Sequence, residues 1–165
     1  DLVTAYGFLH HLYSLEKTFR EAYRVLKKEG IFYSDQDPNY YFWQSMRSLK
    51  NYRGALSEIL KIEKSAVCEM AHSVQKVSKN EIKKEIIDLA EFQKTRGGFK
   101  EERVVKLLKN IGFRHVDYEY TWFWQEGKVV REVSPKAAVY FEEHLRQALP
   151  LTKSFFKYVR ITAVK

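Results

Sequence analysis

The chain has 165 residues, of which 45% are hydrophobic and 15% aromatic, a composition that supports one domain with a core and excludes intrinsic disorder. Basic residues outnumber acidic ones by 29 to 21, and the net charge of +8 leaves an anionic partner such as RNA open. Because the basic residues are mixed with glutamates along predicted helices, the charge favours a solvated surface. No stretch of sequence has the length and apolar character of a membrane span.

The single cysteine, Cys68, lies among Ala66, Val67 and Met70 in a helical pattern. A lone thiol cannot form an intrachain disulfide, which fits a reducing compartment, and we expect a cytoplasmic protein. Since no partnering base stands nearby, a buried structural thiol is favoured over a catalytic one.

The chain is predicted to begin with a strand and a helix. Residues 1–5 form the strand, which breaks at Tyr6 and Gly7. Ser14 is suited to cap a helix whose apolar side chains then recur at helical spacing. Gly30 is expected to close this helix in the left-handed conformation.

A second strand follows directly. Residues 31–33 form it, it ends at Ser34 and Asp35, and residues 37–39 read as a loop or turn around Pro38. A strand, a helix and a strand joined by tight connections predict a parallel βαβ unit.

The middle of the chain is predicted to be helical. One helix covers about residues 41–52 and is broken by Gly54, and a second covers about residues 56–74. A capping-box spacing at Ser78 and Glu81 begins a third helix. A fourth, over about residues 104–111, is closed by Gly112.

Strand, turn, helix and strand are predicted for the last third. An alternating strand places four apolar side chains on one face and polar ones on the other; the apolar ones are Val116, Tyr118, Tyr120 and Trp122. Glu126 and Gly127 are expected to form a turn. Ser134 and Pro135 begin a helix, and a final strand runs from about residue 155 to 164, with Val159, Ile161 and Ala163 on one face. The interleaved elements define an α/β class.

Three segments, in this order, resemble the class I S-adenosylmethionine-dependent methyltransferases: Asp1-Leu2-Val3, Phe8-Leu9-His10-His11-Leu12 and Arg24-Val25-Leu26-Lys27-Lys28-Glu29-Gly30. The last departs from the family, which has Pro-Gly-Gly where Lys28-Glu29-Gly30 stands, and this alters the turn and not the chemistry. The stretch from Gly98-Phe99 to Gly112-Phe113 and the closing residues 158–163 are also similar to the family.

The resemblance implies a partial Rossmann-like sheet with strands four to seven of the family in the spatial order 4-5-7-6, the last strand antiparallel. Residues 1–165 would be the C-terminal part of one methyltransferase domain, with a helical insert over about residues 40–95. The family's first three strands, its glycine-rich turn and its ribose-binding acidic residue have no counterpart here. We therefore expect a longer natural chain, inactivity of this chain alone, and an apolar first strand that self-associates through its exposed edge.

The implied cofactor is S-adenosylmethionine, and by resemblance Ala5, Tyr6, Gly7 and His10 border it. The family needs no invariant catalytic residue, because the protein mainly positions the two reactants. Tyr6 has an alternative role as a loop aromatic packed on the core.

Three side chains are weak catalytic candidates: His10, His11 and Asp35. Adjacent histidines point in different directions and no ligand cluster accompanies them, so we expect no metal. Either histidine could pack or cap the helix start, or act as a general base near the acceptor. Asp35 and Asp37 could orient an acceptor or form a turn before Pro38.

The acceptor site is expected to include Asp37, Tyr40, Tyr41, Trp43 and Trp122, because the family often places a helical lid over the acceptor and aromatics suit a flat, apolar or cationic molecule. The alternative is that these aromatics, with Trp124, pack on the sheet. The sequence thus favours methyl transfer to a small-molecule or lipid-like acceptor. An RNA or protein acceptor, and a non-catalytic methyltransferase-like binding module, are the alternatives.

Overall fold

The computed structural model describes residues 1–48 and 97–165. The helices predicted over about residues 56–74 and from Ser78, the break at Gly54, the interpretation of Cys68 and most of the insert lie outside the described residues. The helices and strands are β1 (Leu2–Tyr6), α1 (Leu15–Val25), β2 (Ile31–Pro38), α2 (Tyr40–Ser48), α3 (Glu101–Ile111), β3 (Arg114–Phe123), α4 (Glu126–Glu132), α5 (Pro135–Gln147) and β4 (Phe156–Val164). Short 3₁₀ helices cover Leu9–His11 and Lys153–Phe155.

The four described strands form one sheet in the order β1-β2-β4-β3. β1 and β2 are parallel, with Leu2 opposite Ile31 and Val3 opposite Phe32, and β4 is antiparallel to both of its neighbours. The α/β class, the parallel βαβ unit and the spatial order of the strands are therefore confirmed. Which strand of the family each corresponds to stays a prediction.

The core lies between one face of the sheet and helices α1 and α3. Phe19 of α1 meets Phe32 of β2 edge to face, with ring centroids 5.4 Å apart, and Leu108 of α3 is fully buried beside them. Val159, Ile161 and Ala163 of β4 are fully buried, which confirms that they share the core face. Burying one Phe side chain stabilises the fold by about 1.5–3 kcal/mol, so these contacts hold α1 against β2.

Helix α1 begins as the sequence predicts and ends differently. The Ser14 hydroxyl accepts a hydrogen bond from the Lys17 amide at 3.4 Å, which confirms the N-cap. The prediction that Gly30 takes the left-handed conformation is wrong, because Glu29 takes it, with φ +63°. Gly30 is required for space instead, since a Cβ there would lie 2.8 Å from the Lys27 carbonyl oxygen.

The prediction of a turn at residues 37–39 is wrong for Asp37 and Pro38. β2 continues through Asp37, opposite Val159, and Pro38, opposite Tyr158. Proline is tolerated there because it lies at the end of the strand, where a ladder amide can be missing. Asn39 follows the strand and directly precedes α2.

Two further predictions near β3 are wrong. The alternation fails at Trp122, which has φ +56° and is 45% exposed, so Phe123 takes the buried place instead. Glu126 and Gly127 do not form a turn but begin α4, after Gln125 has turned the chain with φ +68°. By contrast, Gly112 closes α3 with φ +118°, and Ser134 caps α5 by accepting from the Ala137 amide at 3.1 Å, both as predicted.

Within residues 1–48 and 97–165, no helix combines the length and apolar character needed to cross a membrane.

Candidate functional site

The carboxyl ends of β1 and β2 meet at one edge of the sheet because the two strands are parallel. The Gly7 amide donates a 2.8 Å hydrogen bond to the Asp35 carbonyl oxygen and ties the two ends together. Ala5 is buried and Tyr6 is exposed. Gly7 has φ +56° and no atom within 4 Å of the place where a Cβ would be, so its backbone is open to a ligand.

A β-bulge re-aims the side chains at the end of β2. The register shifts by one residue between Ser34 and Asp37, and Gln36 within the bulge has φ +61°. In a regular strand, residues three apart point to opposite faces. The extra residue brings Ser34 and Asp37 to the same face, and the Ser34 hydroxyl donates to Asp37 Oδ2 at 2.6 Å.

Asp37 joins β2 to the 3₁₀ turn after β1. Its Oδ1 accepts from the His10 amide at 3.0 Å and lies 3.0 Å from His10 Nδ1. The Asp37 side chain is fully buried and that of His10 is 12% exposed. A buried carboxylate needs donors to be tolerated, and the His10 amide and the Ser34 hydroxyl supply them. The structure therefore brings together two residues that sequence reasoning had named separately.

Asp35 belongs to a different network, on the opposite face from Asp37. Arg160 Nε and Nη2 donate to its Oδ2 at 3.0 and 2.9 Å, and the Tyr33 hydroxyl donates to the same oxygen at 2.9 Å. The Gln36 amide donates to Oδ1 at 2.8 Å. Burial, with the hydrogen bond to Asp35, raises the pKa of Tyr33, so its hydroxyl stays a donor at neutral pH. Asp35 thus holds β2 to β4.

The aromatic candidates separate into two places. Tyr40, Tyr41 and Trp43 lie on α2, directly after the end of β2, whereas Trp122 lies on β3, at the far side of the sheet from β1. Trp122 packs near Tyr158, with ring centroids 6.5 Å apart. The α2 aromatics therefore follow the carboxyl end of β2 directly along the chain, whereas Trp122 lies on the strand farthest from β1.

Tyr41 is fixed to α3 rather than open to an acceptor. Its hydroxyl donates to Glu102 at 2.6 Å, and burial together with this bond raises the tyrosine's pKa. The same bond lowers the pKa of the Glu102 carboxyl. Tyr120 makes the equivalent bond to Glu101, also at 2.6 Å, and Glu101 accepts from Lys153 as well. The Tyr41 bond holds α2 to α3, and the two bonds to Glu101 hold α3 to β3 and to the 3₁₀ helix at Lys153.

Three residues of the site were missed by sequence reasoning: Ser34, Asn39 and Arg160. Asn39 is fully buried; its amide donates to the carbonyls of Lys153 and Phe156, both at 2.7 Å, and its oxygen accepts from the Tyr41 amide. An Asn directly before an apolar helical run is an N-cap signal that could have found it. Ser34 and Arg160 carry no such local signal. Over residues 1–48 and 97–165, no group of three His, Cys, Asp or Glu side chains is placed to hold a metal ion.

The fold and the site define an open α/β protein in which two neighbouring parallel strands end at one edge of the sheet, the place where such sheets bind ligands. Residues 1–34 match the family model described as "Methyltransferase domain". This match covers β1, α1 and the first half of β2, and it confirms over those residues the resemblance to class I S-adenosylmethionine-dependent methyltransferases.

Solved structures of low sequence identity resemble the chain. The chain is similar to an S-adenosylmethionine-dependent methyltransferase from Archaeoglobus fulgidus, with 16% identity and a TM-score of 0.46, over 100% of this chain and 59% of that one. It is also similar to phosphoethanolamine N-methyltransferase 2 from Haemonchus contortus in complex with S-adenosyl-L-methionine, with 15% identity and a TM-score of 0.44, over 100% of this chain and 33% of that one. A comparison with curated proteins gave no match.

Proposed function

We propose that the protein, in its full-length form, transfers a methyl group from S-adenosylmethionine to a small-molecule or lipid-like acceptor. The observation that carries this proposal is the family match over residues 1–34, which includes the carboxyl end of β1 and the open glycine that follows it. A cytoplasmic location remains a prediction that accompanies it.

The residues present fit the cofactor at this edge. Gly7 exposes its backbone to an approaching ligand, Ala5 is small, and Tyr6, 65% exposed, offers an aromatic surface beside them. We assign Ala5, Tyr6, Gly7 and His10 to the cofactor side of the crevice. When bound, S-adenosylmethionine supplies the electrophilic methyl group and the thioether leaving group.

The acceptor would lie between this edge and α2. Tyr40 and Trp43 are half-buried on α2, and Lys100 lies 5.6 Å from the Tyr40 ring centroid. Trp43 packs on Phe42 with ring centroids 5.4 Å apart. These rings suit a flat, apolar or cationic acceptor. Tyr41 supports the helix through Glu102, and Trp122, on β3, would reach the acceptor only if the acceptor is large.

The alternative acceptor is an RNA or a protein, which the net charge of +8 favours. The salt dependence of binding distinguishes these acceptors, because RNA binding weakens steeply as the salt concentration rises.

The first strand also leaves one edge unpaired in the described sheet, with Leu2 62% exposed, which supports self-association of residues 1–165 on their own.

The test is calorimetric titration of S-adenosylhomocysteine into the full-length protein and into residues 1–165 alone. We expect micromolar binding by the former and none by the latter. Replacing Gly7 by Val should weaken binding to the full-length protein, because the side chain would occupy the open space beside the backbone and left-handed φ disfavours a branched residue. The matched control is Gly127→Ala on α4, which should bind as the wild type does. Absence of binding by the full-length protein would refute the proposal.

A further inference from the structure

We propose that the protein binds the backbone of a single-stranded RNA across the outer face of α3, through three exposed cations that we call the basic row: Arg103, Lys106 and Lys109. The row shares no residue with the candidate cofactor and acceptor sites. The RNA is a bound partner on this surface, whichever molecule accepts the methyl group, so the inference goes beyond the function proposed above.

Basic residues on the other helices are paired within their own helix. Ion pairs one turn apart occur in α1, α4 and α5; they join Glu16 to Arg20, Glu21 to Arg24, Lys128 to Glu132 and Glu142 to Arg146, at 2.8, 2.8, 3.7 and 2.7 Å. These pairs neutralise charge locally, as the mixture of basic residues and glutamates in the sequence predicts.

Helix α3 differs because its glutamates are bound to other elements. Glu102 accepts from the Tyr41 hydroxyl of α2, and Glu101 accepts from the Tyr120 hydroxyl of β3 and from Lys153. Among the residues that the structure describes, no carboxylate forms an ion pair with the basic row. Its positive charge is therefore concentrated on one exposed helix face, which attracts a polyanion.

The spacing of the row fits a chain of phosphates. Its members follow one another at every third residue, so each step covers about 4.5 Å along the helix axis and about 60° around it. Arg103 and Lys109 are thus directed to different sides of α3. A row of this kind suits separate phosphates along a backbone better than a single anion.

Two clefts border α3 and are connected by the row. Arg103 and Lys106 line a cleft of about 370 Å³ between the start of α1 and α3. Lys106 and Lys109 line a second cleft, of about 520 Å³, which also includes Lys153. Glu16, in the first cleft, is already paired within α1. A strand laid across α3 would therefore meet a cation in each cleft and Lys106 between them.

An anionic membrane would attract the same cations, but the surface lacks what a bilayer requires. Proteins that bind membranes through a helix combine basic residues with exposed aromatic or aliphatic side chains that enter the lipid. None of the exposed large apolar side chains of the described residues lies on α3. Val105 and Leu107 are half-buried. The surface therefore favours RNA.

The test is the fluorescence anisotropy of a labelled oligouridylate of about 16 nucleotides, titrated with the full-length protein at several salt concentrations. Three phosphate contacts predict that the logarithm of the association constant falls with the logarithm of the salt concentration with a slope of about −2. Binding should therefore weaken about 20-fold between about 50 mM and about 200 mM salt. Replacing the whole row by glutamine should weaken binding at the lower salt concentration at least about tenfold and remove most of the slope.

The matched control removes the same number of positive charges from exposed positions on α4 and α5; its substitutions are Lys128→Gln, Arg131→Gln and Lys136→Gln. This variant should bind RNA nearly as the wild type does. Equal losses in the two variants would show that net charge alone is responsible and would overturn the proposal. Urea unfolding of both variants should match that of the wild type, because all six side chains are exposed.

A second measurement needs no substitution. Lysines of the wild type are acetylated with and without saturating oligouridylate, and their reactivity is read by mass spectrometry. Lys106 and Lys109 should be protected by the RNA, whereas Lys128 and Lys136 should not. Bound RNA that leaves Lys106 and Lys109 as reactive as before would place the binding surface elsewhere and overturn the proposal.

The choice of partner is tested with vesicles of phosphatidylglycerol and phosphatidylcholine. We expect RNA binding that depends on the row and no vesicle binding that depends on it. Vesicle binding lost with the row, or a wild type that binds no RNA, would overturn the inference. Both variants should keep the wild-type affinity for S-adenosylhomocysteine, so a failure of RNA binding is distinguishable from a failure of the proposed methyl transfer.

Discussion

Replacing Asp35 by Asn tests whether this carboxylate holds the sheet together or takes part in the chemistry. In the structure Asp35 accepts from Arg160, Tyr33 and the Gln36 amide at once. An Asn side chain keeps one acceptor oxygen and turns an amide towards one of these donors. The variant therefore loses a charge-assisted pair and leaves Arg160 with Glu119, at 3.3 Å, as its remaining described partner.

The magnitude follows from the burial of the pair. Breaking a fully buried ion pair costs about 3–5 kcal/mol, and an exposed pair is worth about 0–1 kcal/mol. The side chain of Asp35 is 10% exposed and that of Arg160 is 38% exposed, so water can rehydrate the guanidinium in part but hardly the carboxylate site. The expected loss lies between these limits, at about 2 kcal/mol in the free energy of unfolding.

Urea unfolding measures this loss, provided that the slope m is the same in both proteins, so that the midpoint reports stability alone. The matched control is Glu119→Gln, which removes the other carboxylate on Arg160 at a half-exposed position and should cost about 0.5 kcal/mol or less. If Asp35→Asn costs no more than Glu119→Gln, the bond to Arg160 contributes nothing and the reasoning is refuted.

Two further predictions concern α4 and the end of α3. Burial, then the charge of Glu142, raise the pKa of Glu126 above its ordinary 4.5. The folded state thus favours the protonated form, and this group's contribution to stability is highest below pH 4.5 and falls as the pH rises through the folded pKa. The free energy of unfolding of Glu126→Gln, measured in urea, should therefore rise relative to that of the wild type between pH 4 and pH 7. The opposite trend would contradict the raised pKa of Glu126. Gly112→Ala should lower the free energy of unfolding by about 1–2 kcal/mol. The reason is that φ is +118° there and that the added Cβ would lie 2.9 Å from Tyr23 Oη. Gly127→Ala, within α4, should instead gain up to about 1 kcal/mol, and equal effects at the two glycines would count against the steric argument.

Local signals predict most of the framework. Ser14 and Ser134 are caps because their hydroxyls can accept from amides three residues on, and that depends only on neighbouring sequence. The alternation of Val159, Ile161 and Ala163 is likewise visible in the chain. The end of α1 could have been predicted better: Glu29 stands at a position where the resembling family has glycine, and it takes the left-handed conformation itself.

The site could be predicted only in pieces, since its contacts join distant residues. His10 and Asp37 are 27 positions apart and Asp35 and Arg160 are 125 apart, so no spacing rule connects them. Asp37 and Pro38 have the composition of a turn, yet both lie in β2, because pairing with β4 outweighs local preference. Asp35 and Asp37 look alike in sequence and differ in the structure by the face of the sheet that each occupies.

That difference traces to the single extra residue in β2. Without the bulge, Asp37 would point away from Ser34, and its carboxylate would reach neither the Ser34 hydroxyl nor the turn that carries His10. Gln36 holds a left-handed φ of +61°, a conformation that costs a non-glycine residue free energy. The hydrogen bonds of Asp35 and Asp37 on either side hold it there, so the Arg160 pair on one face and the His10 pair on the other stabilise the same bulge. Breaking the contact between Asp35 and Arg160 should therefore also disturb the contact between Asp37 and His10, because both depend on the backbone conformation of the same bulge.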